Sequence, residues 1–164
     1  MITYDILKKT LTYDPITGQF TRNITTSSRA INGSVVGTRA NHACGYIQIT
    51  ICGRPFLAHR LAFLYMTGSL PKNEIDHING IKTDNSWKNL REVETSINAQ
   101  NRHSAQSNSK TGILGVWFDK TKEKWTSQIK VRNRRISLGY FNDLKEAELA
   151  YLKAKRLLHA GCTI

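Results

Sequence analysis

The sequence predicts an α+β fold built in two parts, on three observations. Short alternating apolar–polar runs punctuated by glycine fill residues 1–60, and a strand–loop–strand–helix pattern follows over residues 74–101. Three more strand-like runs and one amphipathic helix occupy residues 111–160. Between the two patterns, residues 98–110 (NAQNRHSAQSNSK) are so rich in Asn, Ser and Gln that they cannot bury a core and read as a linker. The chain of 164 residues suits one ordinary domain or two small ones, and it carries no internal repeat.

Charge narrows the classes of function. The chain holds 24 Lys+Arg against 12 Asp+Glu, net +12. Residues 1–99 carry +4 of this and the shorter remainder +8, so the smaller part holds twice the excess. Such a balance favours a polyanion, most simply nucleic acid. At 40% hydrophobic residues the chain is too apolar for a disordered basic tail. No apolar run approaches the roughly 18–20 residues of a membrane span. The first residues, MITYDILKKT, lack the apolar stretch of a secretory signal. Cys44, Cys52 and Cys162 are scattered with no Cys-x-x-Cys pair. That argues against a disulfide scaffold or a zinc ribbon and fits a reducing, cytoplasmic compartment.

In the first part, residues 46–51 (YIQITI) alternate, Cys52-Gly53-Arg54-Pro55 reads as a turn, and residues 56–58 return, a hairpin. Residues 59–68 (HRLAFLYMTG) read as a helix with Leu61, Leu64 and Tyr65 on one side and Gly68 at its end. The chemistry gathers after it. Asp76 can hold a hard divalent cation, and a neutral His77 can take a proton from water near neutral pH. A polar loop follows, with Gly80 permitting a tight turn. A strand over residues 90–93 comes next, and Thr95 is suited to cap a helix with Asn98 in its first turn. An Asn carboxamide there can serve as a neutral metal ligand. Neighbours on a regular strand face opposite ways, so Asp76 and His77 can share a centre only if the strand ends or bends there.

A lone Asp-His pair in an Asn-rich stretch is ordinary hydrated surface. The full string is more specific. Asp76-His77-x-Asn79-Gly80, then Asp84-Asn85-x-x-x-Asn89-Leu90-Arg91, then Thr95-x-x-Asn98 closely resembles the HNH endonuclease family and its ββα-metal motif. His59-Arg60-Leu61 and Tyr46-x-x-Ile49 resemble the phage subgroup of that family, and the similarity spans residues 12–103. The resemblance implies His77 as general base and Asp76 as metal ligand. It implies Asn89 as the central Asn that ties down the loop and orients His77, and Asn98 as second metal ligand. That oxygen-rich set points to one Mg²⁺ or Mn²⁺ per site rather than zinc. Arg60, Arg91 and Arg102 are expected to seat the DNA backbone nearby.

In the second part, strands are expected over residues 113–119, 124–131 and 134–141, with turns at DKTKEK and Arg132-Asn133. Trp125, Ser127, Ile129 and Val131 alternate with Lys124, Thr126, Gln128 and Lys130, and Ile136 and Leu138 with Arg135 and Ser137. A helix is expected to begin near Asn142 or Asp143, with Glu146 three residues after Asp143 in capping-box spacing. Leu144, Ala147, Tyr151, Ala154 and Leu158 form its stripe, and Gly161 stops it. The stripe covers the apolar face and leaves the basic one bare. Gly115-Val116, Lys124-Trp125, residues 128–130, Leu138-Gly139-Tyr140-Phe141 and Glu146-Ala147 with Ala150-Tyr151 resemble the AP2 DNA-binding domain over residues 111–160. That resemblance implies DNA contacts from Gln128, Lys130, Arg135 and Ser137. Lys124 and Arg132 add to the same basic face, and Trp117 can stack or wedge. Leu114, Trp117 and Asp119 stand where plant members carry arginines, so no plant-type target sequence carries over.

The expectation is thus a metal-dependent DNA endonuclease of homing or nicking type acting on double-stranded DNA. It comprises an HNH domain over residues 1–103 with an N-terminal hairpin region, a linker at 104–110, and an AP2-like three-stranded antiparallel sheet packed on one helix over 111–164. No membrane is involved, and the chain is expected as a monomer or weak dimer, in the host cytoplasm if phage-encoded. The alternatives are a non-catalytic DNA-binding regulator with a relic nuclease site, and an RNA-binding or RNA-cleaving protein. RNA readers usually expose aromatic platforms, which the basic and aliphatic third strand does not suggest.

Overall fold

The computed structural model describes residues 2–39, 45–105 and 109–163. The chain packs as two compact units, the first ending at Glu94 and the second beginning at Thr95. The helix that carries Asn98 therefore packs with the second unit, whereas the sequence pattern grouped it with the first. Cys44 and part of the expected linker, residues 106–108, lie outside the described residues.

The first unit opens with α1 (Tyr4–Thr10), whose N-cap Thr3 accepts a hydrogen bond from the Ile6 amide. Strands β1 (Leu11–Tyr13), β2 (Phe20–Arg22) and β3 (Val35–Val36) form an antiparallel sheet in that order. A second sheet joins β4 (Thr38–Arg39), β5 (Ile47–Ile51) and β6 (Arg54–Leu57). The expected hairpin is present, but its turn is only Cys52-Gly53. Both residues have positive φ, 50° and 75°, and Arg54 and Pro55 already belong to the return strand. Two positive φ values match the twist of a two-residue hairpin. Helix α2 (Ala58–Thr67) follows and ends on left-handed Gly68. Then β7 (Glu74–His77) pairs antiparallel with β8 (Leu90–Val93), the connection closing with a 3₁₀ turn at Trp87–Asn89. The core joins Leu7, Leu11, Tyr13 and Phe20 to Ile49, Ile51, Leu61, Leu64, Ile75 and Leu90, so all the layers of this unit share one apolar interior.

The second unit starts with α3 (Thr95–Gln100), in which Thr95 is the first helical residue. Strands β9 (Val116–Asp119), β10 (Lys124–Val131) and β11 (Arg134–Phe141) form an antiparallel sheet with β10 in the centre, backed by α4 (Leu144–Leu158). The first strand is shorter than expected, because Gly115 turns the chain at φ +66°. A Cβ there would meet the Tyr151 ring at 2.2 Å, so the backbone crosses directly over α4. Asp143 caps α4 by accepting from the Lys145 and Glu146 amides. Ala147, Tyr151 and Ala154 are buried as the stripe requires. Leu158 instead lies at the surface and Lys155 is buried, its Nζ donating to the Arg102 carbonyl. The helix also ends earlier than Gly161, on His159.

One irregularity redirects β11. The register with β10 shifts between Ser127 and Gln128, so Ser127 faces Gly139 and Gln128 faces Ser137, with Leu138 as the extra residue. Simple alternation from Ile136 and Leu138 would turn Tyr140 inward. The bulge turns it outward, where it is 45% exposed opposite Thr126.

Candidate active site

Strand β7 ends at His77, and the Gly80 amide bonds back to the His77 carbonyl at 2.8 Å, so the chain turns immediately beyond the imidazole. The strand therefore ends at His77, the position at which alternation requires an end or a bend if the two side chains are to share a centre. Asp76 and His77 are both buried, at 6% and 4% exposure. Register places Arg91 opposite Asp76, and its Nε and Nη2 both donate to Asp76 Oδ2, at 2.9 and 2.7 Å. A buried carboxylate needs such a partner. Arg91, expected at the DNA backbone, is thus engaged in fixing Asp76.

His77 Nε2 lies 3.2 Å from Asn85 Oδ1. An Nε2-protonated imidazole would donate to that carboxamide oxygen. Burial pushes the His77 pKa below its ordinary value. The Asn85 bond and the charges of Asp76 and Asp84 oppose that shift, and Lys82 adds to it. The ring is therefore neutral at neutral pH.

The loop between β7 and β8 is held from inside. Asn89 Oδ1 accepts from the Asn79 amide at 2.9 Å, and its Nδ2 donates to the Asp84 carbonyl at 2.8 Å. Asn79 Nδ2 donates to Asp84 Oδ2 at 2.7 Å, while the Ser86 hydroxyl and amide both bond Asp84 Oδ1. Those bonds, the Ser86 hydroxyl first, hold the Asp84 carboxyl below the usual carboxylate range. Asn89 thus clamps the loop, and the side chain on the His77 ring is Asn85. Sequence reasoning gave Asn85 no role, although it stood in the motif beside Asp84.

The same loop is braced by the start of the chain. The Tyr13 hydroxyl donates to the Asn85 carbonyl at 2.7 Å, and the Trp87 amide bonds the Pro15 carbonyl at 2.9 Å. Gly18, at φ +74°, sits so close that a Cβ would come 2.3 Å from the Asn85 carbonyl carbon. Behind His77, Tyr46 and His59 complete a group of three rings. His59 packs edge-to-face on His77 with centroids 5.2 Å apart, and Tyr46 lies 4.9 Å from His59 and 5.7 Å from His77. Lys82 Nζ stands 4.9 Å over the Tyr46 ring. Arg60 donates to the carbonyls of Pro71 and Asn73 and so anchors α2 to the segment leading into β7.

With this geometry established, the comparisons with known proteins are informative. Residues 56–100 match the family model described as HNH endonuclease. The matched segment contains Asp76, His77, Asn85, Asn89 and Asn98. No curated protein matches this chain. A solved structure titled "DNA binding and cleavage by the HNH homing endonuclease I-HmuI" is similar at 20% identity over 93% of this chain and 88% of that one, with a TM-score of 0.43.

HNH nucleases generally use a divalent metal. Among the described residues, no group of three or more His, Cys, Asp or Glu side chains gathers as a metal cluster. Residues 56–100 instead offer one buried carboxylate, Asp76, and several carboxamides, oxygen donors of the kind a hard divalent cation takes. Asn98 lies on α3 of the second unit.

In the second unit, cross-strand pairing of Gln128 with Ser137 and of Lys130 with Arg135 brings four expected DNA contacts onto the sheet face turned away from α4. Lys124 shares that face from the same strand, and Trp117, opposite Thr126, is 43% exposed on it. Tyr140 lies across Thr126 from Trp117, so this face holds two aromatic rings where the sequence pattern showed one. Arg132 stands exposed in the β10–β11 turn at φ 45°. Arg102 is exposed and lines a groove of about 1030 Å³ with Lys130, Arg132, Arg135, Lys155 and His159. Among the described residues no helix is long and apolar enough to cross a membrane.

Proposed function

We propose that this chain is a metal-dependent endonuclease that hydrolyses phosphodiester bonds in double-stranded DNA. The observation that carries the reading is a buried, neutral imidazole, His77, whose Nε2 is tied to Asn85 beside the arginine-fixed carboxylate of Asp76. In this reading Nε2–H donates to Asn85 and Nδ1 is the base. It takes a proton from water as the water oxygen attacks phosphorus in line and the 3′ oxygen leaves. The imidazolium that forms is favoured by the Asp76 and Asp84 charges already acting on His77. Asp76 and Asn98 are the residues that would hold one Mg²⁺ or Mn²⁺, Asn98 being carried from the sequence pattern alone. When bound, the cation supplies stabilisation of the charge that develops on the phosphate and the leaving oxygen.

The second unit, AP2-like in sequence, supplies affinity and placement through Lys124, Gln128, Lys130, Arg132, Arg135, Ser137 and Trp117, with Arg102 beside them. The paired basic rows on its outer face and the net +8 of residues 100–164 support this division of labour. The test is cleavage of duplex DNA with Mg²⁺ and with EDTA. His77→Ala should lose about 10²–10⁴-fold or more in rate while still binding DNA. Parental cutting by His77→Ala would overturn the assignment of the base, and binding without cutting by the parent would favour a regulator with a relic site.

A further inference from the structure

We propose that His59 is a positioning residue for His77, holding the catalytic ring at its working angle through a buried polar contact surface. The proposal rests on the reading of His77 as the base. His59 sits in the first turn of α2, 5% exposed, with its ring plane at 89° to that of His77. Its Nδ1 is buried and has no hydrogen-bond partner among the described residues. A phenylalanine would fill the same space and make the same edge-to-face contact without stranding a polar atom. The unused nitrogen therefore calls for a reason, and its neighbour supplies one. Among the described residues it touches the rings of Tyr46 and His77, and the far side of His77 is already tied to Asn85.

Asn85 fixes one edge of the His77 ring, and His59 together with Tyr46 fixes its face. His59 keeps no charge in doing so. Burial, the nearby His77 and Arg60 push its pKa down to about 3, so it presents a neutral in-plane dipole. Its own position is rigid, because Arg60, the next residue, ties α2 to the carbonyls of Pro71 and Asn73 just before β7. The two imidazoles are thus set against each other by a short, braced path in the chain.

The experiment uses the full chain, a duplex substrate with Mg²⁺, and long-range ¹H–¹⁵N NMR of the imidazole nitrogens. His59→Phe should melt at or above the parental temperature and leave KM within about twofold, while kcat falls at least about tenfold. The His77 nitrogen shifts should move from a single neutral tautomer toward a mixture. Parental kcat in folded His59→Phe, or unchanged His77 shifts, would overturn the proposal. Should His59→Phe not fold, His59→Asn, which keeps a polar atom near Nδ1, should exceed His59→Leu in kcat, and equality would overturn it. The NMR measurement reads the ring whether or not DNA is cut. A failure of the nuclease reading, shown by His77→Ala cutting like the parent, is therefore separate from a failure here.

Discussion

At the scale of single residues, His77 can act as a base only while its ring is neutral and aimed, and different neighbours supply the two conditions. Burial supplies neutrality; Asn85 supplies aim. Asn85→Ala should leave the fold intact and lower the cleavage rate by about 10²-fold, since a small misorientation of a reacting group costs that much. Single-turnover kinetics on a duplex would check it. His59 makes a second prediction. Its pKa of about 3 in the fold lies below the ordinary value of 6.5, so the folded state binds fewer protons than the unfolded one between those values. Stability is full above about pH 6.5 and is lost as pH falls toward 3, with His77 shifted in the same direction. A pH series of thermal melts should show the parent losing stability across this window and His59→Phe losing less. The sequence pattern singles out Asp76, His77 and Asn89 because their types and spacing are local to one strand–loop–strand. Asn85 was not singled out, because one Asn among several in a polar loop looks like any other until the loop is closed. The Arg91–Asp76 pairing was not legible, because it is set by strand register rather than by proximity in the chain.

At the scale of elements, close approaches and register shifts decide positions that periodicity cannot. Gly18 leaves no room for a Cβ against Asn85 and holds a positive φ. Gly18→Ala should destabilise the fold by more than about 1 kcal/mol and slow cleavage as well, because the residue it displaces bonds His77. Melting and rate measurements on the same sample would show both losses together. Asp143→Ala removes the two-amide cap of α4 and should cost about 0.5–2 kcal/mol, readable by chemical denaturation, with the active site untouched. The alternating strands of the second unit and its capped helix were legible from periodicity. The bulge that turns Tyr140 outward was not, since one inserted residue leaves no local signature and reverses the face of everything after it. Lys155 is a similar case. Helical drift carries it inward in place of Leu158, and a backbone carbonyl makes a buried amine tolerable.

At the scale of the whole molecule, the charge distribution matters more than any single side chain. A net charge of +12 with paired basic rows on one sheet predicts DNA affinity that falls steeply with salt. Lys130→Ala with Arg135→Ala should reduce the slope of log K against log salt by about 0.9 for each phosphate that the two side chains neutralise. Fluorescence anisotropy across a salt series would measure it, and an unchanged slope would remove these two residues from the interface. Composition divides the chain at its Asn-, Ser- and Gln-rich stretch, whereas packing divides it at Glu94, because α3 follows its packing partners rather than the motif that names it.

The brace from Tyr13, Pro15 and Gly18 onto Asn85 and Trp87 spans about 70 positions of chain. It means that the segment a nuclease engineer would excise, residues 56–100, is not a self-sufficient cartridge. A transplant beginning there would leave behind the props that keep its loop in shape. A minimal graft of this candidate site has to start no later than Tyr13, where the brace begins.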